Sequence, residues 1–200
     1  PDRLALIFAN RSPRDMIRIG DHIIAEQQEI NLQCERIERE AVYRGIEKFC
    51  SVRSEEVVSD RTLQQLRKAH QVDFTIAHLA NYVFKENHNT TRNRIYRWRG
   101  EGAIVDVGRV PSPRSDRSVK LIALRDVRVA KEVFSDLCVD GFLDQKYRQC
   151  PRCGATVLRD WGDANSLSTC HECQFDLESG EPDSMEAWQR ERIAARTRRQ

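Results

Sequence analysis

Apolar residues in the first third of the chain recur at helical spacing. In "RSPRDMIRIGDHIIAEQQEI", Met16, Ile17, Ile19, Ile23, Ile24 and Ile30 form a broad stripe, the mark of an amphipathic helix. Its start is signalled by Ser12 as N-cap, Pro13 at the first helical position and Asp15 in the first turn. "LALIF" begins the segment. Ile37, Ala41, Val42, Ile46 and Phe49 carry a second helix, which "SVRSEEVVSD" is expected to break. Further on, "SDRTLQQLRKAHQ" predicts a helix with Leu63 and Leu66 inward, and "DFTIAHLANYVF" a short one with Ile76, Leu79, Ala80 and Val83 on one side. "KENHN" reads as a turn and "TTRNRIYRWRGEGAI" as a helix ending at Gly100 or Gly102. "AIVDVGRV" and "VKLIALRD" read as strands, with Pro111 and Pro113 keeping the connection between them out of the ladder. "DVRVAKEVFSDLCVDGFL" predicts a closing helix, and "EPDSMEAWQRERIAARTRRQ" an amphiphilic helical tail. The pattern predicts a mainly α chain with a small amount of β. It divides into a helical segment over 1–57, a block of three helices and two strands over 58–138, a cysteine-bearing segment over 139–180 and a tail over 181–200.

Composition changes the picture little and charge changes it more. With 200 residues, 32% charged and 40% hydrophobic, one or two compact units are expected. No apolar run approaches the ~20 residues that cross a bilayer, and "LALIFA" is too short for a secretory signal. The chain begins at Pro1 and reads as a piece of a longer protein. Residues 1–57 hold nine Lys and Arg against eleven Asp and Glu. Residues 58–130 hold fourteen against seven, and residues 131–200 ten against thirteen. A basic island between two mildly acidic regions points to one polyanion-binding segment.

That island carries a resemblance. Three helices followed by a two-stranded hairpin is the layout of a winged helix-turn-helix domain, and "TTRNRIYRWRGEGAI" resembles its recognition helix. Ile95, Trp98, Gly102 and Ile104 fall where such domains keep two apolar residues, a helix-ending glycine and the first residue of the wing. Thr91, Ile95 and Trp98 share one face and pack inward. The resemblance implies that the other face contacts duplex DNA through Asn93, Tyr96 and Arg97, flanked by Arg92 and Arg94. Arginine can pair bidentately with guanine and asparagine with adenine. Arg114, Arg117 and Lys120 fall in or near the wing, where phosphates or a minor groove would meet them. Winged helices also serve as protein-docking or oligomerisation modules, with their arginines solvated, and that alternative stands beside the first.

The seven cysteines are Cys34, Cys50, Cys138, Cys150, Cys153, Cys170 and Cys173. An odd number with four clustered argues against a secreted disulfide framework and for a reducing, cytoplasmic interior. Cys34, Cys50 and Cys138 read as buried small hydrophobes. Cys150, Cys153, Cys170 and Cys173 form two Cys-x2-Cys pairs sixteen residues apart, a strong zinc signal. Four thiolates close a tetrahedral shell, so one structural zinc per chain is expected. His171 lies inside the second pair, either as a bystander or in place of a cysteine. "CPRCG" looks like a zinc knuckle, with Gly154 accepting a positive φ, and the whole stretch resembles a zinc ribbon. Such a short segment has too little core to fold alone, so metal binding supplies its folding energy.

"RSPRDMIRIGDHIIAEQ" resembles the lid helix of an AAA+ or STAND-type ATPase, in which a Pro-Arg pair opens the helix; here the pair is Pro13 and Arg14. The resemblance implies that Arg14 faces nucleotide phosphates. The chain holds no G-x-x-x-x-G-K-[ST] stretch, so ATP hydrolysis would need a core upstream of residue 1. No catalytic constellation stands out, and His70, His78 and His88 read as packing or surface residues. The expected function is therefore a DNA-binding regulatory region of a prokaryotic or phage-related ATPase, with duplex DNA and the ATPase as partners, self-association open, and no membrane partner. A free-standing zinc-containing transcription regulator is a further alternative.

Overall fold

Ser12 opens a helix as its sequence predicts in the computed structural model, which describes residues 2–10, 12–33, 35–112, 115–150, 152–153, 156–158 and 173. The described structure is mainly helical, with small antiparallel sheets. The chain divides into two compact units, Pro1–Gln145 and Lys146–Gln200. The boundary expected near residue 57 falls inside the first unit.

In the first unit, α1 (Asp2–Ala9) leads into α2 (Pro13–Ile30), where Ser12 Oγ accepts from Asp15 N at 3.2 Å. α3 (Arg39–Val57) runs back antiparallel to α2. Glu38 N donates to Gln27 Oε1 at one end of the pair, and Arg53 lies beside Asp15 at the other. The buried stripe of α2 is narrower than its apolar pattern suggests. Ile19 and Ile23 are buried, but Ile17 is 66% and Ile24 51% exposed. At 100° per residue Ile17 and Ile24 stand about 160° and 140° round α2 from Ile19, on the other side of the helix. On the Ile23 side, a Cβ built on Gly45 would stand 2.7 Å from the Ile23 backbone. The two helices therefore meet backbone to backbone along one narrow seam, with Ala41, Val42, Ile46 and Phe49 around it.

"SVRSEEVVSD" does not break α3, which continues to Val57. Ser54 is buried, and its hydroxyl donates to Cys50 O at 2.6 Å, satisfying it inside the helix. Arg53 and Glu56 in the same turn pair at 2.6 Å, and Arg18 of α2 forks onto Glu56 at 2.9 and 2.6 Å.

After α3 come α4 (Asp60–Ala69), β1 (Asp73–Phe74), and α5 (Ile76–His78), which continues as a wider π-type helix over Leu79–Phe84. "DF" is thus a strand and not the start of a helix; Thr75 caps α5 by accepting from His78 N at 3.2 Å. Two residues are too few for an alternation signal. Lys85 takes the left-handed conformation and ends the π-type turn. Then come α6 (His88–Gly100), β2 (Ile104–Ser112) and β3 (Ser115–Leu124). The sheet order is β1-β3-β2, with Phe74 opposite Ile122 and Ile104 opposite Leu124. Pro111 lies within the ladder opposite Ser118, contrary to the expectation that it stays outside. β2 is an edge strand, where one side carries no ladder and a proline is tolerated. Trp98 is fully buried at the centre of this half. It is edge-on to Phe74 and Phe84 at 5.9 and 6.1 Å, and its Nε1–H donates to Gln65 Oε1 at 3.0 Å.

The expected closing helix is two helices, α7 (Val127–Val133) and α8 (Val139–Lys146). Phe134 leaves the helical region at φ −109°, ψ 50°, and the Cys138 sulfur accepts from Gly141 N at 3.4 Å as α8 begins. Cys138 is consequently exposed, not buried, whereas Cys50 is fully buried and its thiol pKa is pushed up by burial. α7 carries Arg128, whose guanidinium is 6% exposed. It donates to Asp15 of α2 at 2.5 Å and to both oxygens of Asp126 at 2.7 and 2.5 Å. Removing one partner of such a buried pair costs about 3–5 kcal/mol.

In the second unit, β4 (Tyr147–Gln149) pairs antiparallel with β5 (Thr156–Leu158), Arg148 opposite Val157. The segment begins at Lys146, where residue 139 was expected. The expected helical tail over 181–200 lies outside the described residues. Among the described residues, no helix is long and apolar enough to cross a membrane.

Gly45→Ala should cost about 1–3 kcal/mol because the added methyl overpacks the seam. That corresponds to a fall in Tm of about 2–4 °C per kcal/mol for a chain of this size, read by thermal denaturation. A variant as stable as the wild type would refute the close approach. A second expectation concerns acid. Hydrogen bonds from Arg18, and then Arg53, push the Glu56 carboxyl down to about 2. A depressed carboxyl stabilises the fold above its unfolded value of about 4.3, and that contribution is lost as pH falls from there towards about 2. The pair is partly exposed, so its share is about 1 kcal/mol or less. Melting curves across this window should show Glu56→Gln declining less steeply than wild type, and equal slopes would contradict the assignment.

Candidate metal centre and basic helix face

The first cysteine pair lies at the turn of the β4–β5 hairpin. Cys150 directly follows β4, and Arg152 and Cys153 form the turn before β5. The hairpin therefore holds two thiols at one tip. Cys173 comes to the same place from twenty residues further on. Its Sγ is 3.7 Å from Cys150 Sγ, and the sulfurs of Cys150, Cys153 and Cys173 all lie within 4.8 Å of one another. A disulfide would need about 2.05 Å. Thiolates about 2.3 Å from one tetrahedral ion stand about 3.8 Å apart, so the 3.7 Å edge suits a shared metal. Three close cysteines can hold a metal ion here. Cys170 and His171, the other expected members of the site, lie outside the described residues.

In the first unit, α6 is set by its cap and its buried side. Asn87 Oδ1 accepts from Thr90 N at 2.8 Å. Thr91, Ile95 and Trp98 are buried, as their spacing predicts. The opposite face presents Arg92, Asn93, Tyr96 and Arg97 to solvent, with Tyr96 59% exposed. Arg92 and Arg97 have no ion-pair partner among the described residues.

The other expected contact residues are placed differently. Arg94 is turned along the domain: its Nε and Nη2 donate to Glu86 at 3.2 and 2.8 Å, and its guanidinium sits 4.3 Å from the centre of the Phe84 ring. Thr91 Oγ1 also donates to Glu86, at 2.9 Å. These bonds, Arg94 first, hold the Glu86 carboxyl below its ordinary range. Lys120 of β3 pairs with Asp106 of β2 at 3.0 Å, and Arg99 at the end of α6 pairs with the same carboxylate. Asp106 is held below its ordinary range by Lys120 and Arg99. Arg114 lies outside the described residues, and Arg117 is placed only as a residue of β3. Arg14 is exposed in the first turn of α2.

Sequence reasoning missed Glu86 and Asp106. Each acts across a turn from its partner, Glu86 eight residues before Arg94 and Asp106 seven after Arg99. No helical or strand periodicity links such positions. The surplus of basic residues over 58–130 was the only sign that some of them would be paired and others left free.

Comparison with known proteins adds no relative: no family model matches the chain, and no curated protein or solved structure matches it.

Elemental analysis should find about one divalent ion per chain, as a thiolate site of this geometry requires. Cys150→Ser or Cys173→Ser should abolish it and loosen the β4–β5 hairpin, leaving the melting of the first unit unchanged. A metal content indifferent to both changes would rule the site out.

Proposed function

We propose that this chain is a nucleic-acid-binding regulatory region in which the exposed face of α6 docks on duplex DNA. The observation that carries the reading is the pairing pattern of α6. Its inner and flanking cations are neutralised by Glu86 and Asp106, while Arg92 and Arg97 stand exposed beside Asn93 and Tyr96 with no carboxylate to meet them among the described residues. A helix presenting unpaired arginines and an amide on one face suits a major groove. The order α4-β1-α5-α6-β2-β3, with β1 joining the hairpin beside β3, supports the resemblance to a winged helix-turn-helix. In that reading Arg92 and Arg97 neutralise phosphates or reach guanine edges, Asn93 reaches a base and Tyr96 packs on sugar or base. Arg94 and Lys120 position the helix and the wing.

The same reading makes the cysteine site a closed, structural zinc centre. Cys170 completes the tetrahedral set with Cys150, Cys153 and Cys173, leaving no open position for chemistry. Thiolates kept available for metal suit a reducing cytoplasm. Pro13 and Arg14 at the start of α2 fit the lid of an ATPase core elsewhere in the assembly, whose nucleotide state would control how the α6 face is presented.

Binding to a short random duplex should weaken steeply with salt. Each neutralised phosphate contributes about 0.9 to the slope of log K against log salt, so Arg92→Ala with Arg97→Ala should flatten the slope by about 1.8. Fluorescence anisotropy reads this directly. Absence of binding at low salt, or a slope unmoved by the double change, would support protein docking instead.

A further inference from the structure

We propose that Glu86 sets the selectivity of the α6 face by withholding Arg94 from the nucleic-acid backbone. The inference rests on the duplex-binding reading above and deepens it. Glu86 occupies the connection between two elements. Its backbone N–H donates to Ala80 O at 3.0 Å, fixing it to the π-type turn of α5. Its carboxylate reaches forward into α6, accepting two hydrogen bonds from Arg94 and one from Thr91. Phe84 closes the other side of the guanidinium, and Phe84 in turn stands edge-on to the buried Trp98. Arg94 and Glu86 are each less than one-fifth exposed. Arg94 is therefore bound on two sides, by a carboxylate and by a ring fixed to the core.

Arg94 sits three positions before Arg97, so the two are neighbours on the helix surface. Released from Glu86, Arg94 would swing beside Arg97 and add one more cation to the docking face. Phosphate contacts raise affinity for every sequence alike, whereas base contacts discriminate. A cation kept off the backbone lowers indiscriminate binding and leaves the base-reading residues untouched. The carboxylate also adds a negative charge at the edge of the face, opposing loose approach of a polyanion.

The test compares the wild type, Glu86→Gln, and Glu86→Gln with Arg94→Gln on a random-sequence duplex, by anisotropy from 50 to 200 mM salt. Glutamine has the shape of glutamate and cannot hold the guanidinium as an ion pair. Glu86→Gln should bind more tightly at 50 mM and lose about 3.5-fold more affinity than the wild type across the range, the effect of one added phosphate contact. The double variant should return to the wild-type slope, which a purely structural role for Glu86 would not produce. A charge-swapped Glu86→Arg, Arg94→Glu chain preserves the pair and should keep the wild-type slope; it carries the test should Glu86→Gln fail to fold. Wild-type binding with a slope unmoved in Glu86→Gln, or a steeper slope in the swapped chain, overturns this inference alone. Absence of wild-type binding at 50 mM overturns it together with the duplex reading.

Discussion

The first unit is organised around one buried guanidinium. Arg128 bonds Asp126 beside it and Asp15 across from it, and so joins α7 to α2. Arg53 and Arg18 reach the same Asp15 at 3.8 and 3.9 Å, bringing α3 into the network through Glu56. A charge taken so far from water is tolerable only when every partner is in place. Arg128 also stands four residues after the end of β3, and Arg125 N donates to Ala103 O between them. The strand that carries the sheet is thereby fixed to the α2–α3 pair. The sheet in turn frames Trp98, and Trp98 fixes which side of α6 is buried. The exposed face of α6 is thus a consequence of packing that begins at a salt bridge about thirty residues away.

The sequence is legible where one residue type answers one local demand. Ser12 and Pro13 mark a helix start, Gly102 takes φ +72° where α6 ends, and Thr91, Ile95 and Trp98 declare their face by spacing alone. It is less legible where a distant partner decides. Ile17 and Ile24 read as part of the α2 stripe, yet the seam covers only the Ile19 and Ile23 side of the helix and leaves them exposed. "SVRSEEVVSD" reads as a break until the Ser54 hydroxyl is seen bonded inside the helix. Cys138 reads as a core residue until it is found at the start of α8.

The same division holds for the candidate sites. Cys-x2-Cys spacing encodes a metal site locally, because each pair places two thiols on one turn. The hairpin of β4 and β5 and the approach of Cys173 to Cys150 agree with that expectation. A basic face encodes much less. Fourteen Lys and Arg between residues 58 and 130 state a tendency, but which of those on and beside α6 are free depends on where Glu86 and Asp106 fall. Those two carboxylates claim Arg94, Arg99 and Lys120, and what remains exposed on α6 is a smaller and more definite surface than the sequence suggested.

That surface can be observed residue by residue. A nuclear magnetic resonance titration of the labelled chain with a short DNA duplex would follow every backbone amide at once. Docking through this face should give the largest shifts at Arg92, Asn93, Tyr96 and Arg97, with Arg53 and Arg128 unmoved. Shifts concentrated on α1 and α2, or none on α6 at a duplex concentration that saturates binding, would contradict it.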